Sequence, residues 1–444
     1  MSSVVSLLSI PGLSADYAEQ MPVLRRWREA GAQSTLVPSF PAVTCPVQVN
    51  LTTGCPPNEH GVVANGYYWR DRGEVEMWTA WNEVVERPQI WDLLHEQQPE
   101  IRSAVWFPLL SKGCGADTIC TFAPIHNPDG TESLWCYTRP TEMYGELRDT
   151  FGHFPLKHFW GPFAGVQSTE WIVSSAIWSA QRHRQQFWYI YLPHLDYATQ
   201  KFGPDSPQAW EAVSQLDTQL ARLEEGFARV YGEESLLWLA ASEYTVVPVD
   251  HVSYPNRVLR ELGLLSINEQ EGKELLHVDQ SAAWAMVDHQ LSHIFVAGGD
   301  EATIHQVAER FSREPGIAEV LRRDDYARYG LDHPHSGELV LVSEPNSWQA
   351  YYWWIDNQKA PDFAHTVDIH RKPGFDPVEM FLDPATKGIS LDATLVRGSH
   401  GAPATSADQQ GVLIASQPNV LRGESLADRD VCQLVLSQFG ERAG

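Results

Sequence analysis

Thr44 lies in the run Ser39-Phe40-Pro41-Ala42-Val43-Thr44-Cys45-Pro46, and Asn65 follows 21 positions later (65 − 44 = 21). A hydroxyl at the start of a helix sits among unpaired N–H groups and the positive end of the helix dipole, a setting that stabilises an alkoxide or a phosphate oxygen. Asp196, Glu243 and His400 (in Gly398-Ser399-His400-Gly401) add side chains of the types that hold divalent cations. Further donors cluster at Asp288-His289, with His293 four residues on, at His365, Asp368, His370 and Asp376, and at His194 near Asp196. On a strand, Asp368 and His370 would face one side at period two, a chelating geometry, although such Asp-x-His patterns are more often structural. Lys372, Arg371 and Arg397 could supply positive charge to a phosphate. Asp332-His333-Pro334-His335 has the look of a metal pair, but its Pro/Gly-bounded loop reads as surface. His60 reads as a structural residue closing a loop. Cys45 has no histidine partner in the pattern and reads as a small buried residue.

These residues need a scaffold that brings distant parts of the chain together. Val4–Ile10, Ala104–Phe107, Gln186–Leu192 and Leu236–Ala241 are continuous apolar runs, the pattern of strands covered on both faces. Met21–Ala30 has Met21, Leu24 and Trp27 at helical spacing, and Pro207–Val230 is amphipathic through Trp210, Val213, Leu216, Leu220, Leu223 and Phe227. Strands alternating with helices predict an α/β fold, a three-layer α/β/α sandwich on a mainly parallel sheet. Asp196, Glu243 and Thr44 then follow strand ends (Thr44 after a strand at Thr35–Val37), where open α/β sheets bind ligands. The texture changes near residue 250. His293–Val296, Ala318–Arg322 and Glu338–Ser343 read as strands and Glu301–Glu314 as a helix. The expected organisation is a core of residues 1–249 and 391–444, with a small α+β insertion at 250–390. The aromatic run Trp348, Tyr351, Tyr352, Trp353 and Trp354 either walls a pocket or seals the insertion against the core, and Trp69 is a second candidate wall.

The 444 residues can bury a large core, and 43% hydrophobic content with 17 tryptophans excludes a disordered chain. A net charge of −25 argues against a nucleic-acid polymer as partner but not against a small anion held by metal ions or helix N-termini. Six cysteines without a CxxC pair do not make a disulfide scaffold. The stretch Met1–Gly12 has no basic segment, its apolar run ends at Pro11-Gly12, and no run approaches the roughly 18 apolar residues of a membrane span. A cytoplasmic protein without a membrane partner is expected.

Thr44, followed by Thr52-Thr53-Gly54, Pro57, His60-Gly61-Val62-Val63 and Asn65, resembles the nucleophile region of the nucleotide pyrophosphatase/phosphodiesterase branch of the alkaline phosphatase superfamily. The resemblance implies that Thr44 opens a helix and attacks phosphorus while Asn65 holds a non-bridging oxygen. It also implies a divalent metal centre, most simply zinc, of one or two ions. Carried over position by position, the first metal keeps Asp196 and His400 but has Gln200 where the family has histidine. The second has Pro11 where an aspartate is usual, and Ser242-Glu243-Tyr244-Thr245 in place of Ser-Asp-His-Gly. Of these six positions, Asp196 and His400 are kept, Glu243 is a conservative change, and Pro11, Gln200 and Tyr244 are losses, so the standard dinuclear centre cannot form unaltered.

Three readings follow. The metal site is rebuilt from other donors, with Asp288, His289, Asp368 and His370 as the richest. Alternatively a metal-poor hydrolase uses cations such as Lys372 at the phosphate, or a degenerate enzyme binds a phosphorylated ligand without turnover. The expectation is a hydrolase of a small phosphodiester or pyrophosphate through a Thr44 phospho-enzyme, with the non-catalytic binder as its alternative.

Overall fold

The computed structural model describes residues 4–126 and 132–440. Seven strands of the main sheet come first, β1 (Val4–Ile10), β2 (Ala32–Val37), β3 (Ser103–Trp106), β4 (Thr118–Phe122), β5 (Cys136–Arg139), β6 (Phe187–Tyr191) and β7 (Leu236–Ser242). A second group follows, β8 (Ala283–Asp288), β9 (Leu291–Val296), β10 (Ile317–Arg322) and β11 (Leu339–Ser343), before the chain returns with β12 (Gly411–Ala415) and β13 (Ser425–Ala427). The main sheet has nine strands in the order β13-β2-β12-β7-β1-β6-β3-β4-β5. Its centre is parallel: β1 pairs with β7 from Val4↔Leu236 to Ile10↔Ser242, and with β6 on the other side. Only the pairings of β12 and of β5 run antiparallel.

Every side chain of β1 is buried, which explains why its Val-Val-Ser-Leu-Leu-Ser-Ile run shows no alternation. Val4, Leu8 and Ile10 pack on one face with helices α1 (Pro22–Ala30), α4 (Val166–His183) and α6 (Pro207–Tyr231). Val5 and Leu7 pack on the other with α2 (Thr44–Thr53), α3 (Ile90–Gln97) and α8 (Asp430–Ser437). The three-layer α/β/α architecture expected from the sequence is therefore present. The remaining helices used below are α5 (His194–Phe202) and α7 (Glu301–Phe311). Helix α6 starts where the Ser206 side chain accepts from Ala209 N and Pro207 occupies its first turn. Met21, expected inside the first long helix, is instead the residue that precedes Pro22.

Strands β8–β11 form a separate four-stranded antiparallel sheet, β8-β9-β11-β10, with α7 between β9 and β10. Trp348, Tyr351, Tyr352, Trp353 and Trp354 are all buried in the cluster beneath it, and Trp353 Nε1 donates to Glu274 O at 2.9 Å. Of the two roles expected for this run, sealing the second sheet is the one the packing supports. Asp368 and His370 require a correction. No strand forms there; Asp368 Oδ1 accepts from Arg371 N at 3.1 Å and residues 369–370 are a turn, in a stretch broken by Pro361, Pro373 and Pro377. The shared strand face that made them a chelating pair does not exist. Met1–Ser3 and residues 441–444 of the expected core lie outside the described residues. No described helix is long and apolar enough to cross a membrane.

Candidate active site around Thr44

Four segments meet at the end of the parallel strands. After β2 the chain crosses Ser39–Val43 and enters α2 with Thr44 as its first residue. After β6, Pro193 leads into α5, which carries Asp196 and, one turn on, Gln200. After β7 come Glu243 and Tyr244, and the C-terminal pass brings His400 in beside them through a short ladder of Gly398–Ser399 with Val247–Pro248. Gly398 is required there: a Cβ would lie 2.3 Å from Thr199 O of α5.

Thr44 is almost fully buried, and its Oγ1 lies 3.0 Å from the Tyr244 hydroxyl. Gln200 Nε2 donates to Asp196 Oδ2 at 2.8 Å, and His400 Nε2 stands 4.0 Å from Asp196 Oδ1. The other His400 nitrogen, Nδ1, bonds Ala42 O at 2.8 Å, which fixes the tautomer and leaves a lone pair on Nε2. Burial holds His400 well below the usual histidine range, so the ring is neutral. It raises Asp196 to about 7, against the lowering effect of the Gln200 amide and the Tyr244 hydroxyl. Glu243 accepts from Ser9 Oγ (2.7 Å) and Gln48 Nε2 (2.8 Å) through one oxygen, and burial still pushes it up to about 8.

Asn65 and the start of α2 are arranged differently from the expected oxygen-holding role. Asn65 Oδ1 accepts from Cys45 N at 2.8 Å, while its backbone N and Nδ2 donate to Asp288 at 2.8 and 3.0 Å. Pro46 has no N–H and Val47 N is bonded to Val43 O, so most of the expected helix-terminal donors already have partners or do not exist. Asp288 ends β8 and also meets His289 Nδ1 at 2.7 Å; burial raises its carboxyl to about 6, with Asn65 opposing the shift. His289 takes φ +59°, in the left-handed region, and so turns its ring towards His400. Four rings form one column: Tyr244 stacks on His400 (centroids 3.5 Å), His400 meets His289 (3.9 Å), and His289 stacks on Phe375 (3.6 Å).

The structure therefore brings together Thr44, Asn65, Asp196, Glu243, Asp288, His289 and His400. It does not bring Lys372 or Trp69 into that network. The Lys372 ammonium bonds Asp376 at 2.8 Å and Glu379 at 2.6 Å; burial, which would lower its pKa, is outweighed by these two carboxylates, and its charge is already neutralised. Trp69 stacks on Tyr67 and donates to Glu76 Oε2 at 2.8 Å, on the antiparallel hairpin Gly66–Met77. His194 bonds Gln215 and His293 bonds Val63 O, both apart from Thr44's contacts. Sequence reasoning missed Ser9, Gln48 and Phe375, and treated Tyr244 only as a lost ligand. Gln48 was accessible, since it lies one turn after Thr44 on a helix; Phe375 carried no signal.

A two-ion centre does not fit these residues. Pro11 offers no donor, the Tyr244 hydroxyl is engaged by Thr44, and its ring lies flat on His400. One cation position does fit. Asp196 Oδ1, Gln200 Oε1 and His400 Nε2 are buried and have no hydrogen-bond partner, so all three lone pairs are free for a cation. Glu243 Oε2 is likewise unpartnered.

Residues 5–376 match the family model of type I phosphodiesterases/nucleotide pyrophosphatases, and the chain belongs to that family. An uncharacterized pyrophosphatase/phosphodiesterase of Schizosaccharomyces pombe is 25% identical over 254 residues, which is 55% of this chain and 45% of that protein, so the match spans about half the length of the curated relative. Human ectonucleotide pyrophosphatase/phosphodiesterase 5 shares the fold at a TM-score of 0.63 with 15% identity, over 99% of this chain and 96% of that one. Sinorhizobium meliloti phosphonoacetate hydrolase, solved with phosphonoformate, does so at 0.62 with 17% identity, over 98% and 96%. The mouse phosphodiesterase 5, in an inactive form with AMP, gives 0.62 with 14% identity, over 100% and 96%.

Proposed function

We propose that this chain hydrolyses a small phosphodiester, pyrophosphate or related phosphoryl compound with Thr44 as nucleophile and a single divalent cation at Asp196, Gln200 and His400. The observation that carries the proposal is the meeting of a helix-opening hydroxyl with three buried, unpartnered donor atoms on α5 and the Gly398–His400 segment. Tyr244, whose hydroxyl burial keeps neutral, holds Thr44 Oγ1 without adding negative charge beside the incoming phosphate. Thr44 Oγ1, its proton passing to solvent, then forms the bond to phosphorus as the bond to the leaving oxygen breaks, and that group departs as its anion or takes up a proton. Water next displaces Thr44 from phosphorus, releasing the phosphate product and restoring the Thr44 hydroxyl. The cation, when bound, would neutralise charge on the phosphoryl oxygens. A carboxylate, an amide oxygen and one imidazole make a harder set than the nitrogen-rich sites zinc usually takes, so manganese or magnesium suits it as well as zinc.

The test is hydrolysis of bis(p-nitrophenyl) phosphate and of phosphonoacetate with each metal added, and mass-spectrometric search for phospho-Thr44. Thr44→Ala is expected to abolish turnover, and Tyr244→Phe to lower kcat roughly ten-fold by loosening the nucleophile. Turnover that survives in Thr44→Ala would sink the proposal. The second reading, a binder without turnover, is favoured by the occupied amide of Asn65 and the absence of a donor at Pro11. It predicts calorimetric binding of AMP or phosphonoformate by a chain that cleaves neither ester nor phosphonate.

A further inference from the structure

A second group of ligating side chains lies away from Thr44. We propose that Glu86, His333 and His335 form a separate site for a divalent transition-metal ion, such as zinc, cobalt or nickel. One ligand atom from each of these three residues lies within 4.8 Å of those of the other two. His333 Nε2 is 3.5 Å from Glu86 Oε2, and the two imidazole rings are 4.5 Å apart at 61°, edge to face rather than stacked. Two imidazoles and a carboxylate are the donor set of open, three-ligand metal sites, whose remaining positions water fills.

The supporting contacts are those a ligating histidine needs. His335 Nδ1 bonds Gly61 O at 2.8 Å, so the ring carries its proton there and Nε2 keeps a lone pair. Tyr67 and Trp69 meet the same ring edge-on and fix its plane. His333 is buried beside the carboxylate of Glu86. Without a cation, His333 Nδ1 accepts from His335 N at 3.2 Å; ligation through Nε2 moves the ring proton to Nδ1 and opens that long contact. Among the described residues the only ion pair of Glu86 is with His333, so no Lys or Arg already neutralises it. Its backbone is fixed by Glu86 N bonding His60 O at 3.0 Å, and Gly61 lets the carboxylate approach, since a Cβ there would fall 2.9 Å from Glu86 Oε1.

The site would join the loop before β11 to Glu86, after the Gly66–Met77 hairpin, and both are already bonded to His60 and Gly61. An ion there ties Gly61, through His335, and Glu86 into one unit four residues from Asn65. It would therefore stiffen the support of the Thr44 site without touching it. The proposal does not rest on the phosphodiesterase reading.

The experiment is a cobalt(II) titration of the full chain, followed by visible absorption and calorimetry, in the Asp196→Asn background that weakens the other cation position. One equivalent with a four- to six-coordinate spectrum is expected. Glu86→Gln and His335→Ala should each weaken binding by at least roughly ten-fold. Glu86 has a half-exposed side chain, so Glu86→Gln keeps the fold even where His335→Ala does not, and circular dichroism checks both. No bound ion, or an affinity unchanged in Glu86→Gln, overturns the proposal. Cobalt binding here is read without any hydrolysis assay, in a background that already lacks Asp196, so its loss and the loss of ester hydrolysis in Thr44→Ala are separate results.

Discussion

At the scale of single residues, the site differs from an ordinary polar cleft in how many of its ionisable groups are held in their neutral forms. Burial raises Glu243 to about 8 from an ordinary value near 4.5, despite bonds from Ser9 and Gln48. The folded chain thus keeps this proton over a range in which the unfolded chain releases it. The sign follows: the contribution of Glu243 to stability is fullest below about 4.5 and declines as pH rises, at up to on the order of 1 kcal/mol per pH unit, until about 8. Glu243→Gln, which keeps both hydrogen bonds and has no proton to lose, should overtake the wild type in stability as pH goes from 5 to 8.5. Urea midpoints of the two proteins at each pH check this, and a constant difference would show that the carboxyl is not held neutral. The side-chain identities of this site were largely legible beforehand. Thr44, Asp196 and Glu243 were singled out because they follow strand ends, and His400 because Gly398-Ser399-His400-Gly401 resembles the family's motif. The occupation of Asn65 was not legible, since Asp288 reaches it from 223 residues away in sequence.

At the scale of elements, close approach between backbones positions the donors. The short Gly398–Ser399 ladder lies against α5, and Gly398→Ala would drive a methyl to within 2.3 Å of Thr199 O. That change should cost about 1–3 kcal/mol and widen the gap between Asp196 and His400. Calorimetric manganese or zinc binding at the Thr44 site is expected to fall roughly ten-fold, while the Glu86 site is untouched. Strand and helix assignment followed periodicity closely: the apolar runs at 4–10 and 236–241 fall in central parallel strands, and the amphipathic run at 207–230 falls in the longest described helix. It failed at Asp368 and His370, where an Asx-type turn among prolines overrode a period-two pattern of only three residues. Sequence reasoning noticed His333 and His335 as a possible metal pair but set them aside as surface, although His333 is buried, and it did not connect Glu86 with them. Glu86 is brought alongside only by the packing of the second sheet on the first.

At the scale of the whole molecule, Asp288 is the joint between the two sheets, ending β8 and accepting both Asn65 donors. Asp288→Ala leaves two buried N–H groups unpaired and should cost about 2–5 kcal/mol. Denaturant unfolding measures that loss. Ester hydrolysis, assayed well below the new midpoint, should fall with it, because Cys45 and the start of α2 lose their anchor; unchanged activity would disconnect the second sheet from the site. The ring column has a consequence for motion. Tyr244 and His400 belong to the main sheet's end and His289 to the β8–β9 hairpin, so the column crosses from one lobe to the other at the 3.9 Å contact of His400 with His289. A hinge between the lobes would have its pin driven through the reaction centre. Rocking one lobe on the other would part His289 from His400, a ring contact worth about 1 kcal/mol, so jaw-like closure over a substrate works against the site's own packing. With the lobes held in this way, amide exchange in the β8–β9 hairpin should slow no further when a ligand binds.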